Sequence, residues 1–502
     1  MNLSLLLEMA LSGFGDRPIL GRRRDGYTVA QLDGLATGGA ALVHRAGAEE
    51  LVYLDVNGPC FPAALFAAAR AGVPLVPLNY RLGDDQLEAL LAGHPRAIAI
   101  AGPRFAPLFE RIGMPVRTSA EWLAASMRDG GGSRPEGAPD EDRPAVVIYT
   151  SGTTSEPKGV VLRHHNLASY VLGTVEFASA GPDEASLVSV PPYHIAAVAN
   201  AISNLYAGRR AVVLEQFTGT EWLALVRAEG ITHALVVPTM LARIVAAEGD
   251  RSLPGLRSLA YGGAGMPVRV IEEALAAWPH VDFVNAYGLT ETSSTISVLG
   301  PAEHRAAVAD DDPAVRARLG SAGLPVPGVE VTIRDDTGAA VAAGVPGRIW
   351  VRGEQVSGEY AGLGSVLDPD GFFDTRDEGH LDADGYLFVG GRTDDTIIRG
   401  GENIAPAEIE QTILARDDVD DAVVVGVPDP EWGQRLVAAV VAKAGRTVDP
   451  QEVRDFVRAR LRGSKTPDQV LVWPELPRTD TGKILRRQVL ALLDGDDLVP
   501  RG

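Results

Sequence analysis

Short, mainly apolar runs, separated by stretches long enough for a helix, constrain the fold of this 502-residue chain more than any other feature. The clearest runs cover residues 145–150, 187–190, 211–214, 234–237 and 281–285. A mainly apolar run without regular alternation is typical of a strand buried on both faces, because helices cover the two faces of a parallel sheet. The sequence therefore predicts an α/β fold with a large, mainly parallel sheet.

The last hundred or so residues have a different pattern and predict a second, smaller domain. Pro406 occupies a position suited to the first turn of a helix, and Ile409 and Ile413 follow on one face. Residues 422–427 predict a strand, and Asp449 is placed to cap another amphipathic helix. Because the chain is too long for one core, we expect one large α/β domain followed by a small α+β domain.

Charge and cysteine content exclude several partners and compartments. The formal net charge of −20 would repel a nucleic-acid backbone and an anionic membrane surface. Cys60 is the only cysteine, so no intramolecular disulfide can form, which fits a reducing compartment. The apolar N-terminus lacks a basic start and is interrupted by Glu8, unlike a signal peptide, and no window reaches membrane-spanning length. We expect a cytoplasmic protein with no nucleic-acid partner and no membrane span.

The stretch from Tyr149 to Val160, Tyr-Thr-Ser-Gly-Thr-Thr-Ser-Glu-Pro-Lys-Gly-Val, concentrates hydroxyls, glycines and one lysine after a predicted strand. Hydroxyls and backbone N–H groups donate to phosphate oxygens, glycine allows close approach, and lysine supplies a positive charge. The candidate phosphate-binding residues are Thr150, Ser151, Gly152, Thr153, Thr154 and Lys158. On composition alone, a polar surface turn is the alternative.

Other catalytic signatures do not match this chain. The P-loop needs four residues between its first glycine and Gly-Lys-Ser/Thr, a spacing that this stretch lacks. Ser155 and Lys158 fit Ser-x-x-Lys, yet the Ser-Asp-Asn and Lys-Thr-Gly motifs of β-lactamase-like sites do not occur. The sequence also contains no Gly-x-Ser-x-Gly elbow and no His-Glu-x-x-His helix, which excludes serine hydrolases and zinc proteases.

The 149–160 stretch closely resembles the phosphate-binding signature of the adenylate-forming superfamily, which includes acyl-CoA synthetases, peptide-synthetase adenylation domains and luciferases. Ser155 stands where a glycine is common, which stiffens the loop. Further matches follow in the family's order from residues 77–82 to the C-terminal end, and they look closest to acyl- or aryl-CoA ligases. The resemblance implies an N-terminal adenylation domain, 1–393, with mainly parallel sheets, and a small mobile C-terminal domain, 394–502.

Residues 285–291, Asn-Ala-Tyr-Gly-Leu-Thr-Glu, resemble the family's second core motif, at a strand end where α/β sheets bind ligands. By that match, Tyr287 would stack on adenine and Asn285 would contact the amino edge of the base. Thr290 would contact a phosphate oxygen. Glu291 would bind Mg²⁺, because a hard cation suits carboxylate oxygen. The other expected nucleotide-binding residues are Gly263, Ala264, Ala286 and Gly288. Without the resemblance, Tyr287 would be a core aromatic and Glu291 a solvated acid.

Asp377 and Arg392 match a pair that resembles the ribose-binding site of relatives, in which a carboxylate accepts hydrogen bonds from both ribose hydroxyls. Arg376 replaces the glycine that often precedes the aspartate, which leaves the geometry of the loop open. Taken alone, Asp377 and Arg392 would be an ordinary surface pair.

The C-terminal part carries three further matches. Asp394 matches the hinge about which the small domain turns between half-reactions, although Asp394-Asp395 alone would suggest a linker. The loop expected to enter the site for thioester formation contains Arg399, Gly400, Gly401 and Glu402. Lys483, in Pro-Arg-Thr-Asp-Thr-Gly-Lys, resembles the family lysine that contacts the acyl carboxylate and the α-phosphate. The chain has four lysines against 42 arginines, and two of the four, Lys158 and Lys483, lie in these motifs.

The acid is expected beside residues 191–194, Pro-Pro-Tyr-His, because His194 matches an aromatic position that lines the acyl tunnel of CoA-ligase relatives. The expected pocket is apolar and roomy, and its residues are His194, Ile195, Ala197, Val198, Gly262, Gly263 and Gly288. Amino-acid-adenylating relatives hold the substrate ammonium with an aspartate in this region, and residues 188–206 contain none. The sequence therefore favours a non-amino acid. A structural role is the alternative for His194.

The resemblance implies an ATP-dependent acid–thiol ligase that works in two steps, with Lys483, Thr290, Glu291 and His194 as its catalytic residues. The carboxylate attacks the α-phosphorus of ATP and releases pyrophosphate, and a thiol then displaces AMP. The expected cofactors are ATP, Mg²⁺ and coenzyme A, or a phosphopantetheinyl carrier protein in place of coenzyme A. Two alternatives are a stand-alone adenylating enzyme that loads an acyl carrier protein or partner enzyme, and a non-catalytic nucleotide-binding protein.

Overall fold

The structure is a computed structural model that describes residues 1–130, 140–150, 157–392, 395, 397–399, 402–430, 432–461, 463–479 and 482–495. Its strands are β1 (Pro18–Leu20), β2 (Tyr27–Thr28), β3 (Glu50–Leu54), β4 (Leu75–Pro77), β5 (Ala97–Ala101), β6 (Val116–Arg117), β7 (Pro144–Thr150), β8 (Lys158–Arg163), β9 (Ala185–Val188), β10 (Arg210–Val213), β11 (His233–Val236), β12 (Ser258–Gly262), β13 (Asp282–Leu289), β14 (Ser294–Leu299), β15 (Leu324–Pro325), β16 (Glu330–Arg334), β17 (Gly347–Arg352), β18 (Glu359–Tyr360), β19 (Gly364–Ser365), β20 (Phe373–Leu381), β21 (Leu387–Arg392), β22 (Ile397–Arg399), β23 (Glu402–Ile404), β24 (Val419–Asp429), β25 (Gly433–Ala442) and β26 (Gln469–Trp473). Its α-helices are α1 (Leu3–Phe14), α2 (Val29–Arg45), α3 (Cys60–Ala71), α4 (Asp84–Leu91), α5 (Ala106–Ile112), α6 (Ser119–Asp129), α7 (His164–Thr174), α8 (Ile195–Ala207), α9 (Gly219–Glu229), α10 (Pro238–Val245), α11 (Val268–Ala277), α12 (Pro301–Ala309), α13 (Pro313–Ala317), α14 (Pro406–Leu414), α15 (Pro450–Arg460) and α16 (Arg486–Gly495).

The predicted parallel sheet is present. This first sheet has the strand order β15-β14-β13-β12-β11-β9-β10-β1-β2. Its strands from β13 to β1 in that order are parallel, and antiparallel strands flank them at both edges. Four of the five predicted apolar runs are β9, β10, β11 and β13, with ends displaced by one to four residues. The fold-class prediction is confirmed.

The fifth predicted run is β7, which lies in a second sheet of order β19-β18-β8-β7-β4-β3-β5-β6. Strands β7, β4, β3, β5 and β6 are parallel, and β8 returns antiparallel to β7. Thr150 at the end of β7 is therefore opposite Lys158 at the start of β8. A third, antiparallel sheet has the order β16-β17-β20-β21.

The small C-terminal domain has its own sheet, β24-β25-β26, and its own apolar core. Pro406 begins α14, and Ile409 and Ile413 are fully buried on it, as predicted. The Asp449 carboxylate accepts hydrogen bonds from the first backbone N–H groups of α15, so the predicted cap is present. The boundary at 393/394 stays a prediction, because Thr393 and Asp394 lie outside the described residues.

Cys60 is buried in α3. Burial raises the pKa of its thiol to about 12, so the thiol is protonated at neutral pH. No helix within the described ranges is long and apolar enough to cross a membrane.

Candidate active site

The predicted phosphate loop connects β7 to β8, and its two described ends lie side by side. The Thr150 hydroxyl is 3.5 Å from the Lys158 carbonyl oxygen, toward which it donates. The Lys158 ammonium lies 5.8 Å from the centre of the Tyr360 ring. Four predicted members, Ser151, Gly152, Thr153 and Thr154, lie outside the described residues together with Ser155.

A row of three polar side chains supports the end of β7. The buried His94 contacts Glu50 through Nδ1 at 2.7 Å and the Tyr149 hydroxyl through Nε2 at 2.9 Å. Burial and, to a smaller extent, the charge of Glu50 raise the pKa of Tyr149, so its hydroxyl is neutral at pH 7. Tyr149 directly precedes Thr150, and these contacts therefore fix the strand from which the loop departs.

The 285–291 motif forms the end of β13 and the start of the short 3-10 helix Thr290–Thr292. The Asn285 amide donates from Nδ2 to the Ser321 carbonyl oxygen at 2.8 Å, which fixes the amide. The Tyr287 hydroxyl donates to Asp377 Oδ2 at 2.5 Å. One hydrogen bond therefore joins the predicted adenine-binding and ribose-binding side chains.

Asp377 and Arg392 are cross-strand partners on β20 and β21, so the two predicted ribose residues are neighbours. Asp377 is buried, and its backbone N–H donates to the Thr375 hydroxyl at 3.1 Å. Arg376 has φ of +60°, in the left-handed region that favours glycine. The backbone at Arg376, within β20, therefore has a conformation that glycine adopts without strain, and arginine adopts it here.

Glu291 is fixed through both its main chain and its carboxylate. Its carbonyl oxygen accepts hydrogen bonds from the N–H of Ser357 at 2.8 Å and of Gly358 at 3.3 Å. Its Oε1 accepts one from the Tyr360 hydroxyl at 2.8 Å. Tyr360 lies on β18, which pairs with β8 just beyond Lys158. The predicted metal ligand and the predicted phosphate-binding lysine are thus connected by one tyrosine.

Gly262 and Gly288 lie where neighbouring backbone comes too close for a side chain. A Cβ at Gly262 would collide with the Ala286 carbonyl oxygen, and one at Gly288 with that of Ser294. Gly263 has φ of +85°, a conformation that favours glycine. Strand spacing and backbone conformation therefore require these glycines, independently of any acyl pocket.

His194 directly precedes α8, and its imidazole is neutral at pH 7. Burial, with a smaller contribution from Arg81, lowers its pKa to about 4. Ile195 is half-buried, whereas Ala197 and Val198 are buried members of the main core. The predicted acyl-pocket residues at the start of α8 therefore differ in burial, and His194 and Ile195 are less buried than Ala197 and Val198.

The loop that carries Lys483 contacts the large domain. A Cβ at Gly482 would collide with the Thr239 hydroxyl, and Gly482 has φ of +79°. The Lys483 N–H donates to the Thr479 hydroxyl at 3.0 Å, which closes the loop. Thr239 lies at the start of α10, beyond the C-terminal end of β11, and Gly263 follows the neighbouring strand β12. The lysine loop therefore lies at the same sheet edge as the glycines of the predicted site.

Most of the predicted hinge and thiol loop lies outside the described residues, namely Asp394, Gly400 and Gly401. The backbone of Glu402 is described and begins β23. Arg399 donates to Asp468 Oδ1 at 2.6 Å and to the Ser464 carbonyl oxygen at 3.0 Å. These contacts hold the Arg399 side chain within the small domain.

The sequence pattern of the AMP-binding enzyme family matches residues 7–361, and that of the AMP-binding enzyme C-terminal domain matches residues 408–483. The chain belongs to the AMP-binding enzyme family. The second match ends at Lys483. Lys158 and Lys483 therefore both lie within ranges that match this AMP-binding enzyme family.

Relatives of this AMP-binding enzyme include ligases named for CoA and for carrier protein. It is 35% identical over 468 residues to a feruloyl-CoA synthase of Amycolatopsis sp, with 91% of each chain covered. It is 32% identical over 465 residues to the fatty acid–[acyl-carrier-protein] ligase ScoC of Streptomyces coeruleorubidus, with 89% of this chain and 87% of that protein covered. A solved structure of o-succinylbenzoate coenzyme A synthetase (MenE) from Bacillus subtilis, in complex with ATP and magnesium ion, matches with a TM-score of 0.83. That match has 26% identity and covers 97% of this chain and 99% of the other.

Three residues at the candidate site of this AMP-binding enzyme were not predicted from the sequence, namely His94, Thr239 and Tyr360. Each contacts a motif that is distant along the chain; Tyr360, for example, is 69 residues from Glu291. No local spacing or composition marks such residues, so only the folded arrangement identifies them.

Proposed function

We propose that this AMP-binding enzyme is an ATP-dependent carboxylic acid:CoA ligase. It forms an acyl-adenylate with release of pyrophosphate and then an acyl-CoA with release of AMP. The observation that carries the proposal is that the loop of the small domain before Lys483 lies against the large domain, which also holds the Tyr287–Asp377 hydrogen bond. The bonded pair of Tyr287 and Asp377 lies on the large domain, and the Lys483 loop rests on Thr239 of the same domain.

The nucleotide would be held mainly by the large domain. Tyr287 would stack on adenine, Asp377 with Arg392 would bind the ribose, and the loop after β7 would surround the phosphates. Because the Tyr287 hydroxyl already donates to Asp377, the ring and the carboxylate keep a fixed relation before ATP arrives. Because these side chains are already fixed, ATP binding costs less conformational entropy.

The residues present fit a magnesium ion. Glu291 offers a half-buried carboxylate, and Mg²⁺ is usually held by one or two carboxylates together with substrate phosphates. Glu291 would bind the ion, and Thr290 would donate to a phosphate oxygen. When bound, the ion offsets the negative charge of the phosphates.

The adenylation step needs neutralisation of charge rather than a proton transfer. The acid attacks as its carboxylate, so no general base is required. The barrier is largely repulsion between this anion and the triphosphate, and Lys158 and Lys483 supply positive charge that offsets it. His194, whose pKa is about 4, remains neutral at pH 7 and would contact the acid without adding charge.

The proposed acid is apolar, either aliphatic or aromatic. A neutral His194 and half-buried Ile195 suit such a group, and residues 188–206 contain no aspartate to hold an ammonium. The relatives named for feruloyl and fatty-acid groups support this class of acid.

Coenzyme A is the proposed acceptor. Rotation at Asp394 would withdraw Lys483 and bring the 399–402 loop to the adenylate. A carrier-protein thiol is the second candidate acceptor, because the ScoC relative is named for one and is similar over nearly the whole chain.

Exchange of labelled pyrophosphate into ATP tests the first half-reaction without any thiol. We expect exchange that requires Mg²⁺ and an apolar acid from a panel of aliphatic, aromatic and amino acids. Exchange with an amino acid alone would contradict the proposed substrate class. No exchange with any acid, from protein that binds ATP, would contradict the adenylation step.

A further inference from the structure

Tyr360 contacts both charged residues that are expected beside the phosphates of ATP. Its hydroxyl donates to Glu291 Oε1 at 2.8 Å, and its ring centre lies 5.8 Å from the Lys158 ammonium. We propose that Tyr360 is a positioning residue for magnesium-bound ATP, which it orders by fixing the Glu291 carboxylate. The inference rests on the proposed function and adds a residue to it.

The segment that ends at Tyr360 holds Glu291 at two points. The N–H groups of Ser357 and Gly358 donate to the Glu291 carbonyl oxygen, and the Tyr360 hydroxyl donates to its carboxylate. A carboxylate held at its main chain and at Oε1 has few orientations left, so Oε2 is presented in a restricted direction. Mg²⁺ demands near-ideal octahedral geometry, and a ligand ordered in advance therefore favours its binding.

The Tyr360 ring acts on Lys158 in a different way from the hydroxyl. An ammonium near an aromatic ring is attracted by the ring quadrupole, and this contact limits where Lys158 can lie. Phenylalanine at this position keeps the ring and removes the hydroxyl that donates to Glu291. One substitution therefore separates the effect on the metal ligand from the effect on the lysine.

A purely structural role predicts a different result. If Tyr360 served only to attach β18 to β8, loss of its hydroxyl would lower the stability of the fold without any preference for the metal-bound nucleotide. The measurement must therefore compare ATP with and without Mg²⁺ on folded protein. Tyr386 provides a matched control, because it is also half-buried and its ring packs against Arg318 rather than near Glu291.

Titration calorimetry of the full chain, with no acid present, measures ATP binding with Mg²⁺ and separately in EDTA. We expect Tyr360→Phe to weaken binding of magnesium-bound ATP about ten-fold, as loss of a hydrogen bond to a charged group does. Binding of metal-free ATP should change less than about two-fold, and Tyr386→Phe should change neither. Equal weakening with and without Mg²⁺, or no weakening at all, would overturn the proposal.

A double-mutant cycle with Glu291→Gln makes the test specific. If Tyr360 acts through Glu291, Tyr360→Phe should change binding of magnesium-bound ATP by less than about two-fold in the Glu291→Gln background. An undiminished effect there would also overturn the proposal. Wild-type protein that binds magnesium-bound ATP but adenylates no acid would refute the proposed function, and the cycle would still decide the role of Tyr360.

Discussion

The nucleotide side and the lysine side of the candidate site are held in different ways. On the nucleotide side, the Tyr287 hydroxyl donates a hydrogen bond to Asp377 at 2.5 Å, and the Tyr360 hydroxyl donates one to Glu291 at 2.8 Å. All four residues lie in the large domain. These contacts restrict each side chain before a ligand binds. The nucleotide side is therefore ordered in advance.

One contact between the small domain and the large domain is an exposed ion pair. Arg269 of the large domain and Asp420 of the small domain are 3.8 Å apart, with 34% and 62% of their side chains exposed. Exposed pairs of this kind contribute little to stability. Within the small domain, in contrast, Arg486 bonds to Glu410 at 2.6 Å and to Asp395 at 3.2 Å. Asp395 and the helix that follows the lysine loop are therefore tied into one body.

This difference suits an enzyme that keeps one nucleotide bound while the groups facing it change. In the proposed reaction, the nucleotide side would remain fixed through both half-reactions, and the small domain would turn as a body between them. Substitutions on the lysine side should therefore affect one half-reaction, and those on the nucleotide side should affect both.

The largest expected effect is that of Lys483→Ala. It should reduce adenylation by about 100-fold or more, because the charge proposed to stabilise the transition state is lost. Thioester formation from supplied acyl-adenylate should change less than about two-fold. Lys465→Ala is the control, since Lys465 pairs with Glu408 within the small domain. Equal loss of both half-reactions would contradict the division between the two sides.

Gly482→Ala should reduce adenylation about ten-fold, because the new methyl group collides with Thr239 and the positive φ adds strain. Gly445→Ala is a matched control: Gly445 has φ of +74°, and no atom lies within 4 Å of its added Cβ. Both half-reactions are measured for each variant. If the two variants behave alike, strain alone explains the loss, and the contact with Thr239 has no role.

His194 predicts how the stability of the large domain depends on pH. Its pKa in the folded protein is about 4, below the ordinary value of 6.5, so the unfolded chain binds a proton more readily between these values. Stability should therefore fall as the pH falls from 6.5 towards 4. Denaturant unfolding measured between pH 6.5 and 4 should show that the free energy of unfolding depends less steeply on pH in His194→Gln than in the wild type. An unchanged slope would show that the pKa of His194 is not lowered in the folded protein.

The smallest expected effect is that of Asp420→Ala, which removes the exposed pair between the domains. The free energy of unfolding should change by less than about 0.5 kcal/mol, and both half-reactions should change less than about two-fold. Unfolding curves and steady-state rates measure these effects. A larger loss confined to adenylation would show that this pair holds the small domain in place.

The sequence predicts the parts of the fold whose signals are local. The β7 run and the α14 helix were predictable because continuous apolar residues and a first-turn proline mark them. The third sheet has no such signal. Its strand β20 alternates buried and more exposed positions, and that pattern is not a continuous apolar run.

In the candidate site, too, the sequence predicts only the residues that have a local signal. The motif at 285–291 is contiguous, and its residues were predicted together, whereas Tyr360 and Thr239 reach the site from other segments. The preference for glycine before Asp377 could be seen from the resemblance, but its cause, the positive φ of Arg376, required the backbone. Long-range contacts and local backbone conformation therefore account for what the sequence did not predict.

The central claim is that one chain activates an apolar acid with ATP and passes it to a thiol. Mass spectrometry of products formed from ATP, Mg²⁺ and a panel of acids, with and without coenzyme A, tests it most directly. We expect acyl-adenylate without coenzyme A and acyl-CoA with it, for an aliphatic or aromatic acid. Acyl-adenylate that persists in the presence of coenzyme A would contradict the proposed acceptor and favour a carrier protein, and the absence of both products would contradict the account as a whole.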